Sequence, residues 1–157
     1  MLEGDGRLWG ASVQLYAVRS ERNWGIGDFT DLLTLVELWG GRGAGVIGVS
    51  PLHALFPHNP AHASPYSPSS RLFLNTLYLD VEAIADYGES DAARSLVRSA
   101  AFQARLNRLR AAELVDYPGV AQAKRQVLEM LYGHFRATHL AHESARAQAF
   151  RAFCAAG

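Results

Sequence analysis

The sequence has 157 residues, of which 49% are hydrophobic and 19% charged, as is typical of one folded domain with a sizeable core rather than of a disordered chain. Its 15 basic and 15 acidic residues give a formal charge of zero, which argues against nucleic acid or an anionic membrane surface as partner and favours a neutral one. The single cysteine, Cys154, excludes an internal disulfide, and we interpret it as an ordinary helical side chain.

The sequence shows neither the pattern of a membrane helix nor that of a secretion signal. No apolar run approaches the length of about 20 residues that a membrane helix needs. Met1–Arg7 lacks the charged-then-apolar plan of a secretion signal. The sequence therefore predicts a cytoplasmic location and no membrane partner.

Two strand patterns flank a helix pattern in the first fifty residues. Gly10–Ser20 alternates small or apolar with polar residues and predicts a strand. Asp28 is the expected N-cap of a helix, with Asp31 three residues later as an imperfect capping box, and Gly40 marks its end. Ala44–Ser50 is apolar without alternation, which indicates a strand buried on both faces of a parallel sheet. These elements predict one βαβ unit.

A long irregular stretch follows, from Pro51 to Arg71, and it holds five of the six prolines. Loops of this length are usually functional or disordered, and the apolar content of this one favours an ordered loop. Leu72–Val81 fits a short strand or an extended connection, and it leads to a brief helix over Glu82–Tyr87 that Gly88 ends.

The remainder of the sequence has helical periodicity. We expect about three helices after Glu89, broken near Asp116, Pro118 and Gly133–Thr138. One βαβ unit cannot cover both faces of a parallel sheet, and the sequence ends in the helical pattern FRAFCAAG with no cap beyond the final glycine. We therefore expect the chain to be a piece of a longer protein.

The run Gly25-Ile26-Gly27 lies between a strand and a helix, as a dinucleotide-binding loop would. The third glycine of that motif is replaced by Thr30, and the carboxylate of Asp28 would repel a pyrophosphate at the helix N-terminus. A tight turn followed by an N-cap is the better interpretation, and no cofactor is predicted.

Three histidines of the long loop, His53, His58 and His62, are spaced four or five residues apart. The loop offers no cysteine and no nearby carboxylate to complete a metal site, so solvated or hydrogen-bonding histidines are the better interpretation. The histidines of the helical part are weaker candidates still; they are His134, His139 and His142. No metal is predicted.

A catalytic pair of carboxylates would have to come from a small set of acidic residues in the first half of the chain. Asp28 and Asp31 are better explained as helix caps, and the others carry no independent mark of catalysis. The set consists of Asp28, Asp31, Asp80, Glu82 and Asp86. The residues alone therefore assign no catalytic group.

Tyr66 stands out in the run HASPYSPSSR, where Pro65 and Pro68 restrict the backbone on both sides. A ring held in this way could be a packed structural side chain. It could equally be a platform for the C–H face of a sugar, with serine hydroxyls beside it to exchange hydrogen bonds. Those serines are Ser64, Ser67, Ser69 and Ser70. Both alternatives stay open on chemistry alone.

Three runs of the sequence carry a resemblance to a known family: Val13–Leu35, Gly45–Pro60 and Ser64–Ile84. They closely resemble the bacterial 4-α-glucanotransferases, or amylomaltases, of glycoside hydrolase family 77. Asp116–Leu128 also resembles the helical insertion of longer bacterial members. Together these runs cover most of the chain in the order of the family.

The resemblance implies an α/β fold that is part of a TIM (β/α)₈ barrel. Residues 1–88 would supply its first βαβ unit and substrate-facing loop, and residues 89–157 a helical insertion. Family members transfer α-1,4-glucan segments between maltooligosaccharides by a retaining double displacement. They use an Asp nucleophile, a Glu acid and base, a second Asp that stabilises the transition state, and no cofactor.

Tyr66 matches the tyrosine of the S-P-Y motif of the family, which stacks on the sugar beside the cleaved bond. Ser64 of the same motif is implied to hydrogen-bond glucan, and Asn75 matches a structural asparagine. The three carboxylates lie on later strands in the family, so we expect the isolated chain to be inactive. A non-catalytic glucan-binding module is the alternative, and unpaired strand edges lead us to expect self-association.

Overall fold

The computed structural model describes residues 8–156. Expectations about Met1–Arg7 and Gly157 lie outside the described residues. In chain order the elements are β1 (Gly10–Val13), α1 (Phe29–Gly40), β2 (Val46–Val49), β3 (His53–Ala54), β4 (Ser70–Leu74), α2 (Ala85–Glu89), α3 (Asp91–Arg98), α4 (Ala100–Ala111), α5 (Tyr117–Phe135) and α6 (Ala145–Ala156). Two 3₁₀ turns and a π-helical turn complete the list; they are Leu15–Ala17, Thr76–Tyr78 and Arg136–Leu140.

The described chain divides into two compact units. Unit 1 comprises residues 8–80 and Leu106–Ala121, and unit 2 comprises Val81–Arg105 and residues 122–156. The buried apolar side chains of unit 1 include Leu15, Trp24, Ile26, Tyr78, Leu106, Leu109 and Val120. Those of unit 2 include Val81, Val97, Phe102, Val127, Leu131 and Phe135.

The predicted βαβ unit is confirmed. Strands β1 and β2 pair in parallel, in a register that runs from Gly10 opposite Val46 to Val13 opposite Val49, and α1 connects them. The parallel arrangement places the carboxyl ends of both strands at one edge of the sheet. The segments that follow the two strands therefore leave from the same edge.

Both strands differ in detail from the prediction. The first strand stops at Val13 rather than at Ser20, because the chain turns there to bury Leu15 completely, and Ala17 N–H donates to the Gln14 carbonyl at 2.9 Å. The expectation that the second strand is buried on both faces is wrong for the described residues. Val46 is 54% exposed, because the described part of the chain gives this sheet only two strands.

Helix α1 begins with a reciprocal pair of side-chain caps. The Asp28 carboxylate accepts hydrogen bonds from the N–H groups of Thr30 and Asp31, and the Asp31 carboxylate accepts one from the N–H of Asp28. The N-cap prediction is confirmed, and the capping box is complete even though its third position holds Asp rather than Glu.

A second two-stranded sheet was not predicted as such. Strands β3 and β4 pair antiparallel, with His53 opposite Leu74 and a register irregularity between His53 and Ala54. The prediction of a short strand or extended connection after Arg71 is thus partly correct. The partner strand has two residues, too few for an alternation pattern to identify it.

The helical part is confirmed, with different boundaries. The α-helix ends inside the expected break at Gly133–Thr138, since α5 includes Gly133 but stops at Phe135, where the chain continues as the π-helical turn. An exposed glycine in a helix costs only about 1 kcal/mol, and buried Leu131 and Phe135 anchor the helix on either side of it. Gly88 likewise lies inside α2, and Pro118 occupies the second position of α5, where its missing N–H is not needed.

Within residues 8–156, the helices are all too short or too polar to cross a membrane.

Candidate functional site

The proline loop, Pro51–Arg71, is held in place across its base. Ser69 N–H donates to the Ala54 carbonyl at 2.9 Å, and the Ser69 hydroxyl donates to the Leu55 carbonyl at 2.6 Å. These bonds join the end of the loop to its beginning beside the β3–β4 pair. The expectation of an ordered loop is confirmed.

Tyr66 lies at a tight turn near the far end of this loop. The N–H of Ser67 donates to the Ser64 carbonyl at 3.2 Å, which closes the turn around Pro65 and Tyr66. The Tyr66 side chain is 72% exposed, whereas Pro65 and Pro68 are half-buried. In the described chain the prolines pack while the ring points to solvent.

The four serines around Tyr66 have different surroundings. Ser69 uses its hydroxyl to hold the loop, and the Ser70 hydroxyl accepts a hydrogen bond from Leu72 N–H at 3.2 Å. Ser64 and Ser67 are exposed in the same turn as the ring. The structure therefore brings Tyr66 and Ser64 together on one surface.

A second feature of unit 1 is the Arg22 cluster, formed by Arg22, Asp28, Asp31 and Asp80. The guanidinium contacts both Asp28 oxygens, at 2.6 and 3.1 Å, and lies 3.0 Å from the Asp31 carboxylate. Its Nη1 donates to Asp80 Oδ2 at 2.7 Å, and Thr30 Oγ1 donates to the same oxygen at 2.7 Å. One cation thus joins three carboxylates from two distant parts of the sequence.

The surroundings of this cluster shift the pKa values of Arg22 and Asp31. Burial alone would lower the pKa of Arg22. The hydrogen bond to Asp28 and the charges of the three carboxylates outweigh burial, so the pKa of Arg22 lies above its ordinary value. Burial would raise the pKa of Asp31, but hydrogen bonds from Asn23, Ser20 and the Asp28 backbone, together with Arg22, hold it below its ordinary value. The contacts in the cluster thus favour the charged forms of Arg22 and Asp31.

The loop that carries Arg22 is fixed by close backbone packing. Gly25 has a φ of +87°, and a Cβ added there would lie 2.8 Å from Leu109. A Cβ on Gly27 would lie 2.1 Å from the Leu15 carbonyl oxygen. Both glycines serve a tight turn, as interpreted from the sequence, since the turn leaves no space for side chains.

The loop histidines have aromatic surroundings. The rings of His58 and His62 lie 5.9 and 4.9 Å from the Phe56 ring, each edge to face, and His53 lies on β3. Nowhere in residues 8–156 do three His, Cys, Asp or Glu side chains form a group that could hold a metal ion.

Four of the five candidate carboxylates form ion pairs with arginine. Asp28, Asp31 and Asp80 belong to the Arg22 cluster, and Asp86 forms an ion pair with Arg146 in unit 2. Glu82 is exposed. Cys154 is an exposed residue of α6, which agrees with its interpretation as a helical side chain.

Arg22 and Asn23 were not among the residues predicted from the sequence. Asn23 is fully buried; its side chain donates to Asp31 at 2.8 Å and to the Val18 carbonyl at 3.2 Å. Arg22 directly precedes it and pairs with Asp80, 58 residues later. A basic residue just before two helix-capping aspartates was the available signal, but its pairing with Asp80 depends on the fold.

Comparison with known proteins agrees with the resemblance seen in the sequence. Residues 13–157 match the family model described as 4-alpha-glucanotransferase. The chain is 42% identical over 130 residues to a 4-alpha-glucanotransferase of Haemophilus influenzae, and 52% identical over 88 residues to one of Mycobacterium tuberculosis. These alignments cover 83% and 51% of this chain.

A solved structure is also similar. The crystal structure of amylomaltase from Corynebacterium glutamicum aligns with a TM-score of 0.71 and 33% identity over 78% of this chain. The alignments cover 19% and 12% of the two relatives and 18% of the amylomaltase chain, so this chain spans less than a fifth of their length. Because the family model matches nearly all of it, the chain belongs to the 4-alpha-glucanotransferase family.

Proposed function

We propose that this chain is the part of a 4-alpha-glucanotransferase that holds an α-1,4-glucan beside the bond to be cleaved. The observation that carries the proposal is the position of Tyr66, whose ring is 72% exposed on an ordered loop inside the region that matches the family. An exposed aromatic ring on a fixed backbone is suited to stack on the C–H face of a sugar.

Ser64 completes this surface in the proposal. It is exposed in the same turn as the ring, and its hydroxyl can both donate to and accept from a sugar hydroxyl. Ser69 and Ser70 contribute indirectly, because their hydroxyls hold the loop itself. Tyr66 would thus provide the contact area and Ser64 a hydrogen bond that orients the sugar.

The fold supports a place for this surface in a larger catalytic domain. We propose that β1 and β2 are the first two strands of a (β/α)₈ barrel, whose active site lies at the carboxyl ends of the strands. The loop that carries Arg22 comes after β1, and the proline loop comes after β2. Residues 1–88 would then belong to the barrel and residues 89–157 to a helical insertion of the same domain.

The proposed reaction is the transfer of a glucan segment by a retaining double displacement, which needs a nucleophilic carboxylate and a separate acid and base. We assign neither role to this chain. Its buried aspartates are held by Arg22 and Arg146, an arrangement that suits structural support rather than attack on a sugar. The chain on its own is therefore proposed to be inactive.

Incubation with maltotriose distinguishes an inactive piece of a transferase from an active enzyme and from a non-catalytic binding module. The parent transferase, meaning the longer enzyme to which we assign these residues, should convert maltotriose into shorter and longer maltooligosaccharides that chromatography separates. The 157-residue chain alone should give none. Turnover by the isolated chain would contradict the assignment of catalysis to other residues. Tight maltooligosaccharide binding by the isolated chain without turnover would favour a non-catalytic binding module.

A further inference from the structure

Arg22 connects the start of α1 to the far end of the chain segment that carries Tyr66. Its guanidinium donates both to the helix cap Asp28 and to Asp80, at 2.6 and 2.7 Å. The Asp80 side chain is 12% exposed and that of Arg22 39%. The contact thus lies at the surface of unit 1, with the Asp80 carboxylate mostly covered.

Asp80 closes a long excursion of the chain that starts after β2. At its start, Ser50 N–H donates to the Val13 carbonyl at 3.3 Å, which joins it to the first strand. At its end, Asp80 accepts from both Arg22 and Thr30. Tyr66 lies between these two attachment points.

Hydrogen bonds and packing connect the segment before Asp80 to the β3–β4 pair and to α1. Asn75 N–H donates to the Leu52 carbonyl at 2.9 Å, and its side chain accepts from Leu77 N–H at 3.0 Å. Tyr78, two residues before Asp80, is almost completely buried, and its ring lies 6.1 Å from that of Phe29 at the start of α1. A displacement of Asp80 would therefore shift β4 and the turn that presents Tyr66.

We infer that Arg22 is a positioning residue for sugar stacking: it acts through Asp80 to fix where the Tyr66 ring is presented. The inference rests on the proposed function of Tyr66. Arginine suits the task because its planar fork reaches carboxylates in several directions at once, whereas the ammonium of lysine is a single point charge. A purely structural Arg22 would stabilise unit 1 with no effect specific to the sugar.

The test compares the parent transferase with its Arg22→Lys and Asp80→Asn variants, each in the wild-type and the Tyr66→Ala background. Both substitutions should raise KM for maltotriose by about three- to tenfold, the range expected for loss of an aromatic contact. In the Tyr66→Ala background the same substitutions should change KM by less than about twofold, because coupled residues are not additive.

Arg110→Lys is the matched control. The Arg110 side chain donates to the Asn23 and Arg22 carbonyls, so it holds the same loop without contacting Asp80. This variant should leave KM within about twofold of wild type. Where Arg22→Lys fails to fold, Asp80→Asn still tests the inference, because Arg22 then keeps its contacts with Asp28 and Asp31.

Equal effects of Arg22→Lys on KM in both backgrounds would overturn the inference, as would an unchanged KM in the wild-type background. A Tyr66→Ala variant with normal KM would instead overturn the proposed role of Tyr66, whatever the Arg22 variants do. The two failures are therefore distinguishable.

Discussion

Asp28 and Asp31 cap each other at the start of α1. Asp28 Oδ1 accepts from Asp31 N–H at 3.0 Å, and Asp31 Oδ2 accepts from Asp28 N–H at 3.1 Å. Arg22 contacts both carboxylates, so the helix cap is also the base of the loop that precedes it. Helix initiation and loop position depend on the same atoms.

Replacing Asp28 with alanine should therefore destabilise unit 1. The loss of an N-cap alone costs about 1–2 kcal/mol, and Arg22 would lose its bidentate partner as well. Asp28→Asn, which keeps a cap acceptor but not the charge, should have a smaller effect. Urea unfolding measures the free energy of unfolding of both variants. Equal stability of Asp28→Ala and wild type would contradict the role of Asp28 as a cap and as the partner of Arg22.

Gly27 should not tolerate a side chain. A Cβ there would lie 2.1 Å from the Leu15 carbonyl oxygen, so Gly27→Ala must displace backbone and should destabilise by more than about 2 kcal/mol. Gly88→Ala is the control, because a Cβ at that helical position meets nothing within 4 Å and should be neutral or stabilising by up to about 1 kcal/mol. Thermal unfolding of the two variants compares them, and similar melting temperatures would argue against the close packing of this turn.

The pH dependence of stability should report on Asp31. The pKa of Asp31 is lower in the folded than in the unfolded chain. Its contribution to the free energy of unfolding is therefore complete above its ordinary pKa near 3.8, and it is lost as the pH falls through the lower pKa of the folded chain. As the pH falls below about 4, the stability of the wild type should thus decline more steeply than that of Asp31→Asn. Urea midpoints across this range provide the measurement, and parallel curves would show that Asp31 does not contribute.

The exposed apolar surface of unit 1 predicts self-association of the isolated chain. Leu33 and Val36 lie three residues apart on α1 and are 55% and 47% exposed. Light scattering after size exclusion should show a mass that rises with concentration, and Leu33→Glu combined with Val36→Glu should reduce the rise. Thr34→Glu, on the same helix, serves as the charge control. A compact monomer at all concentrations would contradict the prediction.

The local elements of the fold could be predicted because their signals are local. The N-cap at Asp28 and the helices after Glu89 each follow from residue types within a few positions. The β1–β2 pairing joins residues far apart in the sequence, and it was predictable only because the strand–helix–strand order implies a βαβ unit. Strand β3 and the Arg22–Asp80 contact could not, since they depend on partners about 20 and 58 residues away. The helix boundaries differed where single glycines were tolerated by buried neighbours.

The candidate site was predicted only in part for the same reason. The prolines around Tyr66 indicated a fixed ring, but its exposure depends on how the loop closes through Ser69 and Ala54. Chemistry alone left packing and sugar contact as alternatives. The ring is exposed in the described chain, and its role toward sugar is a proposal.

The role of Tyr66 in holding glucan is the central claim, and the kinetics of maltotriose disproportionation by the parent transferase test it most directly. Tyr66→Ala should lower kcat/KM by about three- to tenfold through the loss of an aromatic contact, and Tyr66→Phe should retain most of the activity. Tyr132→Ala, at another exposed tyrosine, should have no effect. A kcat/KM for Tyr66→Ala equal to that of the wild type would contradict the account.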